Sequence, residues 1–422
     1  MPVTLAIVGA GARGRTYARY ALEHPDAAQV VAVADPRPAY REALADAHAV
    51  PAERRYASWR DLAEAPRLAD AVVVATPDRQ HAEAVARFAA LRYDLLLEKP
   101  MAPTEPDCAA VVATAEATGV LLAVCHVLRY TPYTEALLPL VRAGAVGAIV
   151  GVQHLEPVGW WHFAHSFVRG NWRRTDESSS SLLAKCCHDL DWLYHLVGQE
   201  PVRIASTGAL RHFHPAQRPA GAADRCFDCG VEPDCPYSAT RLYAACLADP
   251  ERHEWPLSVV TPDLTPEGVA AALRDGPYGR CVYACDNDVV DHQVVTIEFA
   301  GGATASLTMS AFTPAGHRRT RIMGTRGFVE GDGERITVTD FVTGAVSTVD
   351  TNRAGPDAAS GHGGGDFGLM RAFVAAVAAR DASLIRSGPR ESLVSHRMAF
   401  AAEASRLSGG VPVDVSIVDR VS

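Results

Sequence analysis

No apolar run in this chain approaches the ~20 residues that a membrane-spanning helix needs. Residues 1–8 also lack the basic start and long apolar stretch of a secretory signal. Both absences lead to the expectation of a cytoplasmic protein. Long basic runs are missing too, and the formal net charge is -9. Such a chain has no electrostatic footprint for nucleic acid or an anionic membrane, so the expected partner is a small molecule. In a reducing compartment the ten cysteines stay thiols or become metal ligands rather than disulfides. No internal repeat is visible. What the chain does have is length and apolar content: 422 residues, 48% hydrophobic, are enough for at least one large core, and two domains are expected.

Strand and helix patterns alternate through the first 125 residues. Val3–Val8, Val30–Ala34, Ala71–Ala75, Leu95–Leu97 and Val120–Cys125 read as buried strands, with helical segments such as Asp61–Ala65 and Gln80–Leu91 between them. This is the signature of an α/β fold with a doubly wound parallel sheet. After Arg129 the alternation becomes β-like over Ile149–Glu156, Gln293–Phe299, Thr304–Met309 and Arg335–Val342, beside an amphipathic helix at Ser181–Val197. A second α/β domain with a mixed or antiparallel sheet follows. The expected division is 1–127 and 128–422, with a cysteine-rich insertion at about 212–292. Ser360 to Gly365 reads as a glycine-rich loop before a helix at Asp366–Arg380.

The first strand ends in Gly9-Ala10-Gly11-Ala12-Arg13-Gly14. Gly9 permits a tight turn, Gly11 lets backbone approach a pyrophosphate, and Gly14 lets helix pack on strand; the helix start then supplies N–H donors to the phosphates. Asp35 ends the next strand, where a carboxylate accepts hydrogen bonds from ribose hydroxyls. It would repel a 2′-phosphate, which favours NAD, while Arg37 leaves NADP open. Thr76 and Pro77, at a later strand end, are expected on the ribose-nicotinamide side. Leu95–Leu97 delivers Glu98-Lys99-Pro100, placing a lysine where catalytic groups of α/β sheets project.

These residues resemble the Gfo/Idh/MocA oxidoreductase family. The resemblance is carried by the fingerprint, by Ala75-Thr76-Pro77 followed by His81, by Glu98-Lys99-Pro100, by His126 to Pro132 as the crossover, and by Gly324-Thr325-Arg326-Gly327 as a late turn. It implies a Rossmann domain followed by an α/β domain whose large open mixed sheet forms a homodimer or homotetramer interface. Substrates of the family are mostly sugars, cyclitols and related polyols. For Lys99 it implies an acid/base role. A lysine held beside the positively charged nicotinamide and partly desolvated loses its proton more readily, and so accepts one from a hydroxyl as hydride leaves the same carbon. The alternative is a structural lysine paired with Glu98. His81 and Glu98 join the cofactor-side residues on the same resemblance.

The family's second-domain helix usually carries an Asp and, four positions later, a His. Here His188 fits the histidine, but Ala184 falls where the acid is expected, and Lys185 beside it is a substrate-binding cation or a replacement acid/base. Asp189 and Asp191 read as structural. Upstream, Trp160 to Arg173 is dense in rings, amides and cations. Trp161, His165, Arg169, Trp172 and Arg173 are candidates for stacking on a sugar or bonding its hydroxyls, against ordinary packing of a long connection. Asp288 and His292 divide evenly between substrate contacts and a polar turn, and His362 and Asp366 follow a glycine loop that could close over the site.

Cys226-x-x-Cys229, then Cys235, has a ligand-like spacing in an insertion that shows no apolar core of its own. With Cys281 as fourth thiolate, and Cys285 in reserve, a structural zinc is expected; free thiols or an iron-sulfur cluster are the alternatives. Three functions compete. The first is an NAD-dependent oxidoreductase acting on a sugar, glycoside or cyclitol hydroxyl. The second is an NAD-dependent glycosidase working by transient oxidation, elimination, water addition and reduction. The third is a non-enzymatic sugar- or nucleotide-sensing protein.

Overall fold

The structure, a computed structural model, describes residues 1–352 and 362–415. Ser360 and Gly361 of the glycine-rich loop lie outside the described residues. Strands β1 (Val3–Val8), β2 (Ala28–Ala34), β3 (Arg55–Tyr56), β4 (Ala71–Val74), β5 (Asp94–Leu97) and β6 (Leu122–Val124) form one parallel sheet in the order β3-β2-β1-β4-β5-β6. Leu5, Ile7, Val72, Val73, Leu95 and Leu96 are fully buried, because helices cover both faces of the sheet. The chain order reverses between β1 and β4, and the crevice beyond those carboxyl ends is where ligands of such sheets bind. The two-residue β3 was too short to read in the sequence.

The second sheet has nine strands: β7 (Ile149–Pro157), β8 (Pro201–Ala209), β9 (His292–Phe299), β10 (Thr304–Ser310), β11 (Arg319–Gly324), β12 (Gly327–Gly331), β13 (Arg335–Asp340), β14 (Val346–Asp350) and β15 (Val413–Asp414). The β10–β7 pairing is parallel and the others are antiparallel, so the sheet is mixed. Gly324-Thr325-Arg326-Gly327 is the tight link from β11 to β12, as expected. Helix Ser181–Val197, capped by the Ser180 hydroxyl and ended by Gly198 in the left-handed region, packs its apolar side on this sheet. The other face is open around Gln153, Ser306, Thr308, Arg321 and Glu330.

Two features depart from the reading by sequence order. Helix Gly365–Ala379 returns to the first sheet, where Phe367, Leu369, Met370 and Phe373 join the core of β1 and the helix Ala12–Glu23. The insertion, in turn, has an apolar core after all. Helices Ala239–Ala248 and Pro266–Asp275 bring Tyr243, Leu257, Val269 and Leu273 together. Proline, glycine and cysteine punctuation hid that periodicity.

Candidate functional site

Gly9 ends β1 with φ +95°, and a Cβ there would lie 2.3 Å from the Ala75 carbonyl oxygen. At Gly14 the conflict is sharper, because a Cβ would come within 1.8 Å of the Gly9 carbonyl oxygen. Gly11 differs: its Cβ would meet only the Arg37 guanidinium, at 3.5 Å, so this side of the loop is open to a phosphate. Gly11 is also the residue before helix Ala12–Glu23, whose first turn starting at Ala12 has no side-chain cap to compete for its N–H groups.

Asp35 is buried and accepts the Ala10 N–H at 2.8 Å and the Arg37 guanidinium at 2.8 and 3.0 Å. Burial alone would raise its carboxyl, but Arg37 holds it below the usual range. At the end of β4 the Thr76 hydroxyl oxygen is buried without a hydrogen-bond partner among the described residues, with exposed Pro77 next to it. A dinucleotide fits this set: an open phosphate cradle, a carboxylate at the ribose position and an unspent hydroxyl on the nicotinamide side.

Three residues expected on the cofactor support it from behind. The Arg13 guanidinium is taken up by Glu98, at 2.6 Å, and Asp366, at 2.5 Å. Glu98 also accepts from the Tyr17 hydroxyl at 2.7 Å and the Lys99 backbone N–H at 2.7 Å, so its oxygens are occupied. The ring nitrogens of His81 lie 2.8 and 2.9 Å from the Pro100 and Thr76 carbonyl oxygens, and the ring is fully buried. His81 thereby ties the turns after β4 and β5 together.

Lys99, held by that framework, reaches across the crevice and donates from Nζ to the Ala184 carbonyl oxygen at 2.7 Å. The contact falls where the family pattern would place an acid. One turn along the same helix, His188 is buried, and so is His126 just beyond β6; among the described residues neither ring has a hydrogen-bond partner, though His126 Nε2 lies 3.8 Å from Asp191. The ring of His188 lies 5.8 Å from that of His126 and 5.5 Å from that of His362. Burial pushes His188, His126 and His162 well below the ordinary histidine value, so all three are neutral at pH 7.

Lys185 has its Nζ 3.4 Å from Glu156, and burial lowers its ammonium despite that carboxylate. Glu156 is shared with Arg318 at 2.6 Å, Arg318 reaches Asp189 at 2.9 Å, and Asp189 meets His154 at 3.0 Å. Asp191 takes Arg129 in a two-pronged bond, so both aspartates are structural. His362 faces Asp366 at 3.3 Å, and Arg13 and His362 keep that carboxyl below its usual range although burial opposes them. Sequence reasoning missed Glu156, Arg318, His154, His126 and Tyr17. A signal existed for two of them: His154 and Glu156 occupy the buried face of β7, in step with Val152, where a polar residue needs a reason.

Most of the upstream candidates go elsewhere. Arg169 is buried, giving its bonds to the Arg280 and Tyr237 carbonyl oxygens and, at 3.8 Å, to the Cys226 sulfur. His165 bonds the Tyr243 hydroxyl at 2.8 Å and is pushed down to about 3 by burial. Arg173 pairs with Asp286 and Glu177, and Trp172 packs against Phe167. His165, Arg169 and Arg173 thus fasten the insertion to the upstream segment. Trp161 remains near the crevice, 5.8 Å from the His162 ring. Asp288 accepts the Thr175 backbone N–H and hydroxyl, and His292, the first residue of β9, leans on Asp291.

Cys226, Cys229, Cys235 and Cys281 line one small cavity together with Arg169 and Arg225. Among the described residues, however, no three His, Cys, Asp or Glu side chains close on one point as a metal requires. The expected coordination shell is thus not assembled in this structure, and the insertion carries an apolar core beside the cysteines.

Two family descriptions match the chain: "Oxidoreductase family, NAD-binding Rossmann fold" over residues 3–126, and "Oxidoreductase family, C-terminal alpha/beta domain" over residues 139–415. Among curated relatives, 2,7-anhydro-N-acetylneuraminate hydratase of Escherichia coli (strain K12) is 28% identical over 216 residues, covering 50% of this chain and 55% of the relative. Inositol 2-dehydrogenase of Rhizobium meliloti (strain 1021) is 28% identical over 212 residues, 50% of this chain and 59% of the relative. The chain therefore spans little more than half the length of these relatives. Among solved structures, an oxidoreductase from Agrobacterium radiobacter in complex with NAD+, L-tartaric acid and magnesium superposes with a TM-score of 0.70 at 16% identity, covering 98% of this chain and 99% of that one, a likeness of fold.

Proposed function

Because the chain belongs to the Gfo/Idh/MocA family of NAD-binding oxidoreductases, we propose that it oxidises or reduces a hydroxyl-bearing carbon of a sugar, glycoside or cyclitol with NAD. The observation that carries this reading is Lys99, whose Nζ stands at the carboxyl end of the sheet and, among the described residues, bonds only a backbone carbonyl across the crevice. NAD held by the cradle of Gly9 to Gly14, Asp35 and Thr76 would supply the hydride acceptor or donor for the carbinol carbon. Nζ keeps one N–H on the Ala184 carbonyl and stands in the crevice as the group that takes the hydroxyl proton as hydride leaves. Neutral His188 and His362 stand by to bond substrate hydroxyls, and Lys185, steadied by Glu156, orients a second hydroxyl or an anionic group. Asp35 favours NAD over NADP.

A second reading is redox-neutral: transient oxidation, elimination, water addition and reduction with the cofactor recycled. Two observations favour it. No carboxylate stands at position 184, and among the described residues both ring nitrogens of His188 lack a hydrogen-bond partner, leaving them to a water or a substrate hydroxyl beside Lys99. The hydratase similarity points the same way. An absorbance assay at the NADH band, with sugars, cyclitols and aryl glycosides and with aglycone release followed in parallel, separates the readings. NADH accumulating with one compound class supports net oxidation. NAD-dependent product release without net NADH supports the recycling reaction, and binding without turnover points to a sensing protein.

The proposal extends to a cytoplasmic homodimer or homotetramer joined through the open face of the nine-stranded sheet, where polar strand residues stand uncovered. It also keeps a structural zinc in the insertion. Arg169 is 1% exposed and has no carboxylate partner among the described residues, and thiolates on the same cavity would balance its charge. Metal analysis of the purified protein is expected to find about one zinc per chain; a metal-free, fully folded protein rejects it.

A further inference from the structure

A short segment of the insertion, His253 to Val260, does not stay within the insertion. Leu257 and Pro256 are buried, Leu257 in the insertion's own core, and the polar groups on either side of them reach the nucleotide-binding domain. The Ser258 hydroxyl accepts a bond from the Arg15 guanidinium, and the Ser258 carbonyl accepts the Tyr40 hydroxyl at 2.7 Å. Arg15 also reaches the Glu254 carbonyl at 3.5 Å, and Arg19 pairs with the Glu254 carboxylate at 3.4 Å.

These anchors sit at the adenosine end of the crevice. Arg15 lies in the first turns of the helix that follows the glycine fingerprint, and it feels the charges of Asp35 and Arg37. Tyr40 has the Arg37 guanidinium over its ring at 4.1 Å and the Arg15 guanidinium at 5.6 Å. Arg37 in turn holds Asp35, the carboxylate at the ribose position. The outer side of the adenosine pocket is thus closed by a polar seam between Arg15, Tyr40 and the insertion.

The same segment reaches the reacting end. The Trp255 ring meets His162 edge-on at 4.7 Å and lies 5.3 Å from Trp161. His162 feels the charges of Lys185, His362 and Lys99. Five consecutive residues therefore touch both the adenosine side and the surroundings of the catalytic lysine.

We propose that residues 254–258 are part of the dinucleotide site and clasp its adenosine end, so that NAD is retained from one turnover to the next. The proposal rests on the NAD reading above and fits the redox-neutral reaction, which needs the same cofactor to take up and return a hydride. Exchange of NAD with solvent requires the bonds of Ser258 to Arg15 and Tyr40 to open first.

The test uses the full chain and NADH alone, with no need of the unknown substrate. NADH release is followed by fluorescence after mixing the loaded protein with excess NAD, in the native chain and in the double variant Tyr40→Phe, Ser258→Ala. Each change removes one seam hydrogen bond and keeps the ring or backbone in place. The native chain is expected to release NADH at least about tenfold more slowly than the variant, and to carry NAD through purification. A single variant, Tyr40→Phe, checked by thermal melting, guards against a folding artefact and is expected to show an intermediate rate. Equal release rates in folded proteins overturn the clasp while leaving the NAD reading intact. Failure of the native chain to bind NADH at all overturns the NAD reading itself.

Discussion

Lys99→Ala is expected to lower kcat/KM by about 10²–10⁴-fold, the usual range for removal of a general acid/base, with little change in NAD affinity or melting temperature. Activity and stability separate here because, among the described residues, Nζ bonds one backbone carbonyl and no carboxylate, whereas Glu98 is satisfied by Arg13, Tyr17 and the Lys99 N–H. A structural lysine paired to Glu98 would give the opposite result, a loss of stability with modest kinetic change. Lys99→Arg should not rescue activity, because a guanidinium does not give up its proton near neutral pH. Steady-state kinetics on the substrate class found by the NADH assay, with NADH titration and a thermal melt of each variant, checks all three statements.

Arg13→Met is expected to cost about 3–5 kcal/mol, the penalty for stripping the partner from buried charge. Two carboxylates lose their counter-ion at once, Asp366 with no side-chain exposure and Glu98 with 7%. In the native chain both carboxyls are held below the usual range, with Arg13 the largest charge opposing burial. Their stabilising contribution is thus present above the unfolded-state values of about 4 and is lost as pH falls through the lower folded ones. In the variant burial wins and the folded values rise, so the sign reverses. The variant should lose stability as pH climbs past about 4, and the gap between it and the native chain should be widest near neutral pH. Urea unfolding across pH 4–8 reads this directly; a gap that does not change with pH would show that Arg13 acts through packing alone.

Local signals carried the parts of the molecule that depend on local chemistry. The glycine spacing after β1, Asp35 after β2 and Lys99 after β5 were legible because each requires a particular residue type at a fixed distance from a strand end. Helix Ser181–Val197 was legible to its exact bounds because the Ser180 cap and the Gly198 stop frame it. Long-range bonds were not legible. Arg13 looked like a phosphate-side residue until its partners, 85 and 353 positions away, were seen. His165 and Arg169 carry the residue types of a sugar site, and only tertiary packing shows that they are buried fasteners for the insertion. The cysteine spacing correctly placed four sulfurs on one cavity, yet spacing alone says nothing of whether they converge.

The return of helix Gly365–Ala379 to the first sheet has a consequence for biosynthesis. When the last strand of that sheet leaves the ribosome, the surface later covered by Phe367, Leu369, Met370 and Phe373 is still bare. About 250 further residues must be translated before it is covered, on the order of 10–50 s at bacterial-to-eukaryotic elongation rates of about 5–20 residues per second. The nascent nucleotide-binding half is therefore an apolar client for chaperones throughout the synthesis of its partner domain, and a fragment ending at the crossover would remain one for good.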